Sequence, residues 1–140
     1  MRNTTRIQLA LLPALAVALL TVVGCRTGPP PPKTYAVKGK VVFKDGQPMT
    51  AGLIEFRSTA DPSLMTNGEI QPNGTFKLTT HAGRDKLPGA IEGEHKVTIM
   101  PKMEGDQSHQ PIVWPIAVRQ TCRVKPDGSN DFTIVLDRPK

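Results

Sequence analysis

The chain is poor in the residues that build most recognisable sites. Its 140 residues include four Phe, one Tyr and one Trp, with only three His and two Cys. So few aromatics exclude a stacking platform for single-stranded nucleic acid. His81, His95 and His109 lie too far apart for a local metal motif, and neither HExxH nor CxxC occurs. No serine sits in a GxSxG elbow, which removes the usual starting point for hydrolase chemistry. The DGSND stretch at 127–131 is too short for an EF-hand calcium loop. No catalytic residue, metal or cofactor is therefore expected. Long apolar periodic runs are also scarce, which argues against a helical bundle. What is abundant is proline, with 14 residues, and glycine, with 12, the punctuation of short strands joined by turns.

The formal charge of +6 overstates the basicity of the part that folds. Residues 1–24 contain Arg2 and Arg6 and no acid, so without them the 18 basic residues become 16 against 12 acids, a charge of +4. Those basic residues (Lys38, Lys40, Arg57, Lys77, Lys96 and Arg123 among them) are scattered along alternating segments. That spacing reads as solvated strand faces, and no nucleic-acid partner is expected.

One long apolar stretch does occur, from Leu9 to Val23, preceded by the two arginines. Its 15 residues suit the core of an export signal, whereas a spanning helix needs about 20. It ends in Val22-Val23-Gly24-Cys25, which resembles the lipobox of bacterial lipoproteins: an aliphatic residue at −3 and a small one at −1 before cysteine. A thiol can be alkylated by diacylglycerol, and a small Gly24 lets a peptidase reach the bond. An uncleaved anchor would need a longer helix and would leave Gly24-Cys25 without a role. Residues 1–24 are thus expected to be a lipoprotein signal peptide and Cys25 the lipidation site, the membrane being the partner. One acyl chain binds only marginally, and two or more, palmitate included, hold a protein on a bilayer. Arg26 after the cysteine implies sorting outward, to the outer membrane of the cell envelope rather than the inner.

Residues 25–34 continue as a linker, RTGPPPPKT after the cysteine, with Pro29 to Pro32 consecutive. Such a run favours polyproline II, so nine residues span roughly 28 Å. The domain is expected over 35–140. Tyr35, Val37, Gly39, Val41 and Phe43 alternate with Ala36, Lys38, Lys40 and Val42, the mark of a half-buried strand. Ile54, Phe56 and Ser58 form a second inward set, and His95, Val97 and Ile99 another. Asn73-Gly74 predicts a hairpin between a short strand at 69–71 and one at 75–79 with Phe76 and Leu78 inward. Pro126-Asp127-Gly128 predicts a final hairpin of 121–125 with 131–136, placing Cys122 and Val124 beside Phe132, Ile134 and Leu136. Gly46, Gly74 and Gly128 are expected at positive φ. Pro88-Gly89 reads as part of a polar loop. Seven short strands in all describe a β-sandwich. The connection over 101–120, from Pro101 to Gln120, is broken by Pro111 and Pro115 yet carries Ile112, Val113, Trp114 and Ile116. It is expected to fold back over the sandwich with Trp114 on the core edge. Cys122, the cysteine left after lipidation of Cys25, reads as a small core residue, and no internal disulfide can form.

In this order the segments YAVKGKVVFKDGQPMTAGLIEF, GEIQPNGTFKLTT, LPGAIEGEHKVTI and VKPDGSNDFTIVL resemble a set of small bacterial surface lipoproteins. Their domain is similar to the carboxypeptidase regulatory-like, or transthyretin-like, β-sandwich. The chain departs from that pattern at His95, where the family has Tyr. The resemblance implies an all-β, seven-stranded Ig-like or transthyretin-like fold and an envelope location, and it carries no catalytic or binding residues. Two functions stay open: a non-enzymatic envelope lipoprotein with a structural or interaction role, or a glycan- or peptide-binding module presenting Trp114 from the 101–120 loop. The partner would be an envelope protein or a glycan.

Overall fold

A computed structural model describes residues 30–102 and 115–138. The signal segment, Cys25, His109 and Trp114 lie outside the described residues. The chain divides into two compact units, Met1–Pro30 and Pro31–Lys140, and the second contains the sandwich.

That unit is all-β. Its strands are β1 (Thr34–Tyr35), β2 (Val37–Phe43), β3 (Gly52–Ser58), β4 (Met65–Ile70), β5 (Thr75–Lys77), β6 (Thr79–Ala82), β7 (Asp85–Pro88), β8 (Ala90–Ile91), β9 (Gly93–Pro101), β10 (Ile116–Val124) and β11 (Asn130–Leu136). A six-stranded sheet runs β10-β9-β3-β4-β6-β7, a three-stranded one runs β11-β2-β5, and β1 pairs only with β8. The described residues thus hold eleven strands in three sheets, where seven strands were expected. The 75–79 run breaks at Leu78, whose N–H donates to the Val37 carbonyl, leaving β5 in the small sheet and β6 in the large one. The Pro88-Gly89 stretch is no loop, because residues 79–82 and 85–88 pair as an antiparallel hairpin. Both ends of the 101–120 connection are strand: Pro101 closes β9, and Ile116 opens β10.

The alternation that forms these strands also builds the core. Val37 and Val41 of β2, Phe76 of β5, and Ile134 and Leu136 of β11 face Ile54 and Phe56 of β3, Val97 and Ile99 of β9, and Cys122 and Val124 of β10. Phe56 is fully buried at the centre. Its ring centroid lies 6.1 Å from Phe76 and 5.9 Å from Phe132, both tilted as aromatic quadrupoles prefer. Burying such a side chain contributes about 3 kcal/mol, so Phe56 alone ties the sheets substantially. Gly39 makes this packing possible. A Cβ there would come within 2.6 Å of the Phe76 ring and would strike the Phe132 carbonyl.

Both expected hairpins are instead corners between sheets. The Asn73-Gly74 turn is tight, with Gly74 at φ +81° and the Gln71 N–H donating to the Thr75 carbonyl at 2.8 Å. Beyond it, however, β5 pairs with β2 rather than with β4. Likewise β10 pairs with β9, whereas β11 runs parallel to β2, Asn130 opposite Val37. Asn130 closes that second corner. Its buried side chain accepts the Lys125 N–H at 2.9 Å and donates to the Lys125 carbonyl at 3.0 Å and the Ala36 carbonyl at 3.3 Å. Gly128, expected at positive φ, is not among the positive-φ glycines. With the side chain of Asn130 fixing the corner, no left-handed residue is required.

Candidate functional site

The inward face of the large sheet brings together the only described Cys–His neighbours. His95 and Cys122 sit opposite each other on β9 and β10, with Ser58 of β3 on the other side of His95. His95 is fully buried, its ring 5.9 Å from that of Phe56. Its Nδ1 is 3.1 Å from the Gly93 carbonyl oxygen, which can only accept, so Nδ1 carries the proton. Nε2 then has a free lone pair, and among the described residues no hydrogen-bond partner reaches it. Burial holds the imidazole below its ordinary pKa, opposed by the bond to Gly93. Burial also pushes the Cys122 thiol up to about 11. A nucleophilic pair needs the reverse, a thiolate beside an imidazolium. Closed to solvent and neutral, this pair is core, and the alternation of 121–125 had placed Cys122 there.

The other described histidine, His81, lies on β6 and contacts Asn67 at 3.3 Å. Among the described residues no three His, Cys, Asp or Glu gather as metal ligands. A buried polar pair, Thr66 and Thr80, links β4 to β6 at 2.8 Å. Thr80 donates to the Gly89 carbonyl, so Thr66 is the donor between the two hydroxyls. This is structural satisfaction of polar groups inside a strand pair.

The surface offers more. Where the chain enters the sandwich, a groove of about 340 Å³ opens between Val37, Leu78, Pro88 and Gly89, with Lys38 and Lys77 on its rim. The entry is fixed by Thr34, whose hydroxyl donates to the Pro88 carbonyl at 2.9 Å. A second groove, of about 440 Å³, runs between the edge strands β10 and β11 along Ile116, Val118 and Val135. Gln120 spans it, reaching the Thr133 carbonyl at 3.4 Å beside a bulge between Val118 and Thr121. The lysines were read from the sequence as scattered, yet the fold brings Lys38, Lys40 and Lys77 onto one outer face. Only the β2–β5 register, Lys38 opposite Lys77, reveals this, and no local spacing signals it.

At the far end of β2, Asp45 accepts from Arg138 at 2.6 Å and from the Gln47 amide at 3.0 Å. The Arg138 bond, then the amide, hold the Asp45 carboxyl below its usual pKa. Arg138 also covers the Phe43 ring at 4.5 Å, pinning the chain after β11.

No protein-family model matches this chain, and no curated protein or solved structure matches it either.

Proposed function

We propose that this chain is a lipid-anchored protein of the bacterial cell envelope, cut before Cys25 and held on the membrane by lipid on that residue. The observation that carries the reading is the sequence Val22-Val23-Gly24-Cys25 closing an apolar stretch led by Arg2 and Arg6. The proline run at 29–32 ends just before β1 begins at Thr34, which suits a linker between anchor and domain. The domain is read as a carboxypeptidase regulatory-like, transthyretin-like sandwich with a structural or interaction role and no catalysis of its own. Its neutral, closed His95–Cys122 pair supports that reading, since it offers neither a nucleophile nor a route for substrate.

Cells making Cys25→Ala should accumulate the longer precursor, and the mutant should lose labelling by radioactive palmitate. Equal labelling of mutant and wild type would overturn the lipid anchor.

A further inference from the structure

We infer that the domain rests its entry end on an anionic bilayer surface through Lys38, Lys40 and Lys77, an inference that builds on the lipid anchor proposed above. The starting point is an unfavourable pairing. Lys38 and Lys77 are directly opposite across β2–β5, with Cβ atoms about 5 Å apart, where like charges destabilise a sheet. Both point outward, because their neighbours Val37, Gly39 and Phe76 are buried. Lys40 follows on the same face, opposite Thr75. The pattern is poorly neutralised. Asp131 reaches Lys38 at 3.6 Å in a well-exposed pair, while among the described residues Lys40 and Lys77 have no ion pair. Glu69 shares a shallow groove with Lys77 without forming one. An anion arriving at this face would relieve the repulsion.

The position selects the anion. The lysine rim borders the apolar groove of Val37, Leu78, Pro88 and Gly89, and Ala36, the residue after β1, lines the same groove. This end is therefore where the chain arrives from its proline segment, and so from Cys25. Lys33 lies there too, 5.5 Å from the Tyr35 ring. An anchored domain meets the bilayer with this end first. Phospholipid headgroups supply the negative surface, and the apolar groove suits the glycerol and upper acyl region beside them. Near such a surface each lysine strengthens binding about fivefold.

The test uses the mature lipidated protein in vesicles of phosphatidylcholine, with or without phosphatidylglycerol, and reads the acylation rate of each lysine by mass spectrometry. Phosphatidylglycerol should slow modification of Lys38, Lys40 and Lys77 severalfold and leave Lys44, at the opposite end of β2, unchanged. The K38Q/K77Q variant removes the facing charges, so it should fold at least as stably as wild type. Its remaining protection at Lys40 should nonetheless fall, by about fivefold in surface-bound population per lysine removed. Flotation with both vesicle types but equal lysine reactivity would overturn the surface contact and keep the anchor. Flotation only with phosphatidylglycerol would support the contact and remove the anchor, and flotation with neither would overturn both. Loss of protection on adding inorganic phosphate would show a discrete phosphate site and overturn the bilayer reading.

Discussion

The two main sheets of this sandwich are assembled in different ways. In the large sheet three pairings join strands consecutive in the chain: β3 with β4, β6 with β7, and β9 with β10. β3–β9 then joins the first and last of these over seven residue pairs, and β4–β6 joins the β6–β7 pair to them over three. The small sheet has no such pairing. Its central strand β2 takes β11 from the opposite end of the domain, in parallel, and β5 over only three residue pairs. Parallel pairing also excludes a tight hairpin, so loop-closure entropy is paid in full before any bond forms. What compensates is interdigitation with the large sheet: the Phe76 ring lying over Gly39, and Phe56 against both Phe76 and Phe132. The large sheet pairs strands that are neighbours in the chain, whereas the small sheet pairs only strands that are distant in it.

That contrast can be broken or sharpened by substitution. The largest effect is expected at Phe56, which touches both sheets. Phe56→Ala should cost about 4 kcal/mol in urea unfolding, with the cavity adding to the lost transfer energy. A loss below about 1 kcal/mol would mean that the sheets are not joined through this ring. Gly39→Val strikes the small sheet first, at the Phe76 ring and the Phe132 carbonyl. It should cost about 2 kcal/mol through overpacking. Hydrogen exchange should quicken at the β2–β5 amides while β3, β4 and β9 keep their protection. Uniform loss of protection would erase the distinction between the sheets.

The smallest effect belongs to the large sheet alone and is read by pH. His95 is held neutral by burial, so its folded pKa lies below the unfolded value of about 6.5. Below that pH the unfolded chain binds a proton that the folded chain refuses. Stability should therefore fall as pH falls, by up to about 1.4 kcal/mol per pH unit until the folded pKa is reached. The difference between wild type and His95→Leu across pH 5 to 8 isolates this contribution. Parallel curves for the two proteins would show that His95 takes up its proton equally readily in the folded and unfolded chain, and so is not held neutral by burial.

The sequence by itself determined which side chains are inside. Strict alternation put Val37 and Val41, Ile54 and Phe56, His95 and Val97, and Cys122 and Val124 on buried faces, because a strand with period two has only two faces to choose between. It determined the sites of the turns at Asn73-Gly74 and 126–128 as well, since glycine, proline and asparagine act through their own backbone geometry. It did not determine where the chain goes after a turn. A strand leaving Gly74 satisfies its alternation equally well beside β4 or across the core beside β2, and the same is true of β11 after Asn130. Only the competition among all strands for partners decided that, and with it the cross-strand meeting of Lys38 and Lys77. Register between distant segments is a property of the assembled sheets, so the lysine face came into being only with the tertiary structure.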